Sequence, residues 1–217
     1  MGYFELLNIP RPSVFEEPND VTFLRFIRGD SENRDSGQLA KQLRVNIETM
    51  VAKGIKKVSM YEGLSEAITN VGHHAYPSIV VNSRKQWWVS ASYNRQSREL
   101  FVMFYDQGAG IPVTLPTQWH SFEHLREIFG RLNDSQKIEA AMKYGRSSTK
   151  LVERGKGLRN LVEFAKVHEE GRLSIYSLRG LYRLTRTGEN ETTETGMAGQ
   201  DHKTSIGGTL IEWSVKL

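Results

Sequence analysis

The 217-residue chain contains no cysteine. Disulfides, thiolate zinc sites and cysteine nucleophiles are therefore excluded, and the composition is compatible with a cytoplasmic location. Long apolar runs are also missing: nothing approaches the roughly 20 residues that carry a helix across a bilayer, which argues against a membrane protein. Residues 1–8 lack the basic-then-apolar pattern of a secretory signal. Leu6 stands where an N-myristoylation motif starting at Gly2 needs Ser or Thr. Strong charge of one sign is absent too. The formal net charge of +4 is spread along the chain without a basic stripe, which argues against nucleic acid as a partner. No G-x-x-x-x-G-K-[ST] motif occurs, so a P-loop is excluded as a source of phosphate binding. No internal repeat is present.

What is there suits one substantial globular domain: 38% of the residues are apolar. Residues 1–20 hold three prolines and show no clear period, so residues 1–36 read as an N-terminal extension with one strand at 21–27. The domain proper is expected over 37–217. Apolar spacing predicts helices over 38–52, 57–76 and 157–168, and hairpins formed by 86–93 with 98–106 and by 172–178 with 181–186. The continuous apolar run 100–105 predicts a central strand, and the alternation after Gly208 predicts a closing one. Residues 187–205, rich in Gly, Thr and Glu, read as a flexible loop. The connection 113–154 is long, holds helical segments near 122–131 and 135–144, and lies where a lid over a ligand is expected. Helices between and after strands predict a two-layer α/β sandwich.

The helix expected over 57–76 divides into two faces at about 100° per residue. Leu64, Ala67, Ile68, Val71 and Ala75 form an apolar face suited to a sheet. Glu66, Asn70, His73 and His74 cluster on the opposite side. A carboxylate and a carboxamide one turn apart can act jointly on a bound phosphate: the Asn oxygen suits Mg²⁺, and the Glu can orient or deprotonate a water or hydroxyl. An ordinary amphipathic helix with a solvated polar face fits the same pattern.

Downstream, Asp106-Gln107-Gly108-Ala109-Gly110-Ile111 is a D-x-G-x-G segment that ends a strand. Gly155-Lys156-Gly157-Leu158 is a G-x-G-L turn that opens a helix, and Gly208-Thr209 precedes the last strand. Taken singly, these segments also fit a plain turn, a helix N-terminus and a strand threonine. A buried carboxylate needs a donor; glycines at 108 and 110 allow positive φ and close approach. Free N–H groups at the start of a helix attract anions.

The order E-x-x-x-N, D-x-G-x-G, G-x-G-L and late Gly-Thr resembles the GHKL (Bergerat-fold) ATPase family across roughly 38–217. Within it, residues 65–76 look most like the anti-sigma-factor serine kinases. The resemblance implies a Bergerat ATP-binding fold with a mixed β-sheet, and ATP with Mg²⁺ as cofactors. It implies Glu66 as catalytic base, Asn70 as the Mg²⁺ ligand and Asp106 as reader of the adenine amino group. Gly108, Gly110 and Ile111, together with Arg154, Gly155, Lys156, Gly157 and Leu158, would line the nucleotide and its phosphates, with Thr209 near the base. The implied function is ATP hydrolysis or γ-phosphate transfer, in regulation through a protein partner and compatible with a homodimer. An ATP-gated interaction switch is the alternative, favoured by a segment 113–154 longer than the lids of those kinases. Ser147 to Lys150 could add donors to the γ-phosphate. A competing pattern, His120-Ser-Phe-Glu123-His124, fits a zinc-peptidase H-x-x-E-H, but no third ligand is singled out.

Overall fold

The computed structural model describes residues 20–30, 36–51, 57–76, 85–118, 130–147, 157–188, 191–196 and 201–217. Among the described residues, seven strands form one sheet: β1 (Val21–Asp30), β2 (Gln86–Asn94), β3 (Glu99–Asp106), β4 (Glu170–Ser177), β5 (Gly180–Thr187), β6 (Glu191–Gly196) and β7 (Thr209–Lys216). Their spatial order is β1-β2-β3-β7-β4-β5-β6. The helices are α1 (Ser36–Val51), α2 (Lys57–Asn70), α3 (Ile111–Gln118), α4 (Asp134–Ser147) and α5 (Gly157–Lys166). A π-turn, Val71–Ala75, extends α2.

Every ladder among the described strands is antiparallel, which corrects the expectation of a mixed sheet. The reason lies in the placement of β7. β3 and β4 run in the same direction, and β7 enters between them, antiparallel to both. The parallel pair is thereby replaced by two antiparallel ones, whose hydrogen bonds run perpendicular to the strands.

Burial follows the period-2 alternation of the strands. On β7, Thr209, Ile211, Trp213 and Val215 point into the helix layer, in register with Asp106, Phe104, Val102 and Leu100 of β3. The inward faces of α1 (Leu43, Ile47), α2 (Leu64, Ile68) and α5 (Leu161, Phe164) pack there into one core. Trp213 Nε1 donates to Leu161 O at 2.8 Å, tying sheet to helix. Ile138 and Met142 bring α4 into the same core. The opposite sheet face is not bare of apolar groups: Trp88 and Tyr105 stack there, half-buried, at 5.8 Å.

Two stretches differ from their sequence reading. Within 187–205, residues Glu191–Gly196 form the edge strand β6, paired with β5; backbone hydrogen bonds to an existing strand suffice without large apolar side chains. The expected strand at 21–27 runs on through Asp30 and pairs with β2 as the other edge of the same sheet. The helical segment expected over 135–144 is α4. Most of the segment near 122–131 lies outside the described residues. Among the described residues, no helix is long and apolar enough to cross a membrane.

Candidate functional site

β3, β7 and β4 reach one end of the sheet together, and their register aligns three polar side chains across it. Asp106 pairs with Thr209, and Thr209 with Ser177. Paired residues point to the same face, so all three look into the helix layer. All three are buried, Asp106 at 5% exposure. Trp87 of β2 continues the row on the other side of Asp106. The site is thus a strip of polar groups let into an apolar face.

Asp106 accepts the Gly108 N–H at 2.8 Å. Burial raises its pKa to about 6, against which that one hydrogen bond works. The neighbouring Tyr76 hydroxyl is pushed up to about 12 by its own burial and then by the charge of Asp106. A carboxylate this buried retains acceptor capacity for a ligand donor.

The D-x-G-x-G loop is joined to the helix of Glu66 and Asn70 through the π-turn. The Ala109 N–H donates to Ala75 O at 2.7 Å. A Cβ on Gly108 would stand 2.4 Å from that same oxygen. Gly108 is therefore required by close packing and not by positive φ, which corrects the sequence expectation; of the two, Gly110 has φ of 84°. At Gly110 the loop turns into α3, and the Ile111 N–H donates to Ser177 Oγ at 2.9 Å. Ser177 Oγ also contacts Gly208 O at 3.2 Å and Thr209 Oγ1 at 2.9 Å. One hydroxyl thus joins the loop after β3 to the start of β7.

On α2 the inward face is as expected: Leu64, Ala67, Ile68, Val71 and Ala75 are all buried. Glu66 and Asn70 are half-buried on the other side, while His73 and His74 are exposed. Desolvation raises the Glu66 pKa; the Asn70 amide and the nearby His73 pull it back down. With its amide turned to Glu66, Asn70 keeps a side-chain oxygen available for a cation.

α5 begins at this same end. Leu158 and Ile111 both pack against Ala141 of α4, and a Cβ on Gly63 of α2 would stand 3.5 Å from Asn160 O. Arg154, Gly155 and Lys156 lie outside the described residues, as do His120 to His124 and Ser148 to Lys150. The structure thus gathers Asp106, Gly108, Gly110, Ile111, Gly157, Leu158 and Thr209 toward one end of the domain, with the helix of Glu66 and Asn70 latched to it.

Among the described residues, no group of three or more His, Cys, Asp or Glu is placed to hold a metal ion. A resident cage of protein ligands is therefore not seen among them, whereas Mg²⁺ taking one protein oxygen and the rest from phosphates and water fits Asn70.

Ser177 and Tyr76 were not distinguished as site residues by sequence. Nothing local marks Ser177; it acquires its place through the β4–β7 register. Tyr76 follows His74 in the stretch read as a helix, but its hydroxyl goes to Gln86 O at 2.8 Å, closing α2 onto β2. No protein-family model matches this chain, and no curated protein matches it.

Proposed function

We propose that the chain binds Mg-ATP in a Bergerat-type site and hydrolyses it, or transfers its γ-phosphate to a protein partner. The observation that carries this reading is Asp106. It is a carboxylate 5% exposed, in register with the Thr209 hydroxyl, at the end of β3 where the chain enters a loop latched to the helix of Glu66 and Asn70. At neutral pH Asp106 is ionised and accepts only, so it takes the adenine amino group and rejects the guanine carbonyl. Thr209 completes the polar strip beside it. The N-terminus of α5, preceded by Arg154, Gly155 and Lys156, supplies N–H groups and positive charge to phosphates.

Asn70 would hold the magnesium, which when bound neutralises charge on the phosphate oxygens. Glu66, its pKa raised by desolvation, takes the proton from the attacking water or from the hydroxyl of a partner's side chain, a role worth about 10²–10⁴-fold in rate. The bond between Asn70 and Glu66 favours a second reading, an ATP-gated interaction switch with little or no catalysis. The hydrogen bond from the proposed metal ligand lowers the basicity of the carboxylate and so weakens it as a proton acceptor.

Calorimetric titration with Mg-ATP and Mg-GTP tests the binding claim. ATP should bind more tightly, and Asp106→Ala should abolish binding while circular dichroism stays unchanged. Equal affinity for the two nucleotides overturns the proposal. Turnover that falls by the stated factor in Glu66→Ala supports catalysis; a wild type that binds without turnover or phosphate transfer supports the switch.

A further inference from the structure

We infer that Asp201 is a positioning residue that couples the N-terminus of α4 to the Thr209 end of the nucleotide site. The inference rests on the nucleotide reading above. Asp201 belongs to the loop before β7, yet its carboxylate caps a helix far away in sequence. It accepts the Asp134 N–H at 2.9 Å, the Ser135 N–H at 3.0 Å and the Ser135 hydroxyl at 2.9 Å. These are N–H groups that a helix start leaves without partners. A local capping box is present, Asn133 Oδ1 accepting the Gln136 N–H at 2.9 Å and Gln136 Oε1 the Asn133 N–H at 3.0 Å, and Asp201 adds an anion from elsewhere in the chain on the N–H groups that the box leaves open.

The link continues into the β4–β5 turn. Ser135, 1% exposed, accepts the Leu181 N–H at 3.1 Å, and Asp134 Oδ2 accepts the Arg179 N–H at 3.2 Å. A Cβ on Gly180 would lie 2.5 Å from the Asp134 carbonyl carbon, so turn and helix end are pressed together. The turn in turn grips the loop of Asp201. Arg179 O accepts the His202 N–H at 2.8 Å, Leu178 O accepts the Ile206 N–H at 2.9 Å, and Gly208 O accepts the Leu178 N–H at 3.1 Å. Gly208 O is also the carbonyl that Ser177 Oγ reaches beside Thr209. Tyr105, on β3, donates its hydroxyl to the Ile206 and Gly207 carbonyls.

The loop 201–208 is thus held at one end by α4 and at the other by the polar strip. Displacing the start of α4 strains the turn at 178–180, and through it the backbone that aims Thr209. Whatever displaces the start of α4 therefore changes the grip on the base. The coupling is carried by continuous hydrogen bonds between packed elements, the kind of connection along which such effects travel.

The test combines amide hydrogen exchange with Mg-ATP titration on the full chain. Asp201→Ala should speed exchange at Leu178 and Ile206, raise the Kd for Mg-ATP roughly tenfold, and leave turnover at saturating ATP within about twofold. Asp201→Asn, which keeps one acceptor, should restore part of the affinity. Ser135→Ala removes one of the three bonds to Asp201 together with the bond from the Leu181 N–H, and should move both readouts in the same direction; with Asp201→Asn it decides the matter if Asp201→Ala does not fold. Faster exchange with unchanged Kd, or unchanged exchange, overturns the coupling. A wild type with no affinity for Mg-ATP overturns the nucleotide reading instead, and the exchange data still judge the mechanical link.

Discussion

Asp106 shows a conflict between stability and use. Its folded-state pKa, about 6, lies above the value of about 3.9 expected for an unfolded chain. The native state therefore holds its proton more tightly than the unfolded chain does. Stability is highest below about pH 4 as far as this group is concerned, and is lost as the pH rises through 6. Asp106→Asn keeps an oxygen for the Gly108 N–H and cannot ionise. It should raise stability by up to about 3 kcal/mol at pH 7.5, from about two pKa units, and by much less at pH 4.5, as read from urea melts at the two pH values. An equal effect at both would show that the gain is not electrostatic. The same substitution removes the proposed adenine acceptor. A sequence could point to Asp106, because a strand running into glycines is a local pattern. It could not point to Ser177, whose partners are 66, 31 and 32 residues away; such a residue is defined by strand register alone.

At the scale of elements, the contact between the π-turn and the D-x-G-x-G loop is the most demanding. The turn lets Ala75 present its carbonyl to Ala109. A methyl group at Gly108 would meet Ala75 O at 2.4 Å and Ala75 Cβ at 2.5 Å. Neither is the end of a flexible side chain, so backbone must move. Gly108→Ala is expected to cost about 1–3 kcal/mol, the usual range for overpacking, measured by denaturant titration, and to shift the amide resonances of His73 and His74. A neutral effect with unshifted resonances would mean that loop and helix are not latched. Helix α2 was legible because its apolar positions follow one period. Helix α3 was not, since Pro112 and Pro116 both discourage a helical reading; Pro112 falls in the first turn, where no N–H is needed. Strand β6 was illegible for the opposite reason, as its formation depends on the edge of β5 and not on its own side chains. Of the segment 113–154, α4 is packed into the core through Ile138 and Met142, which no local pattern could distinguish from an exposed lid helix.

At the scale of the molecule, one core connects all the layers, so unfolding should be a single cooperative transition. Trp87 on β2 and Trp213 on β7 are both fully buried, at 0% and 1% exposure, and report from different parts of the sheet. With the other tryptophans replaced by Phe, each should give the same urea midpoint as the far-ultraviolet circular dichroism signal. Separate midpoints would reveal two independently folding parts. The hairpins and the two-layer architecture were visible in the sequence because they come from local periodicity. The all-antiparallel order was not, because it depends on where the last strand inserts.

That insertion also orders events in time. β1, β2 and β3 form one half of the sheet, β4, β5 and β6 the other, and β7 is their common neighbour. On the ribosome, the two halves emerge with nothing between them until residues 209–216 are exposed. Asp106 belongs to the first half and Ser177 to the second, so the polar strip does not exist before β7 is in place, and the nucleotide proposed to bind there could not assist the early stages of folding. The incomplete chain presents two unfilled sheet edges, at β3 and β4, each a template for wrong pairing. Correct pairing at both edges, and any stabilisation by the proposed nucleotide, therefore wait for the central strand.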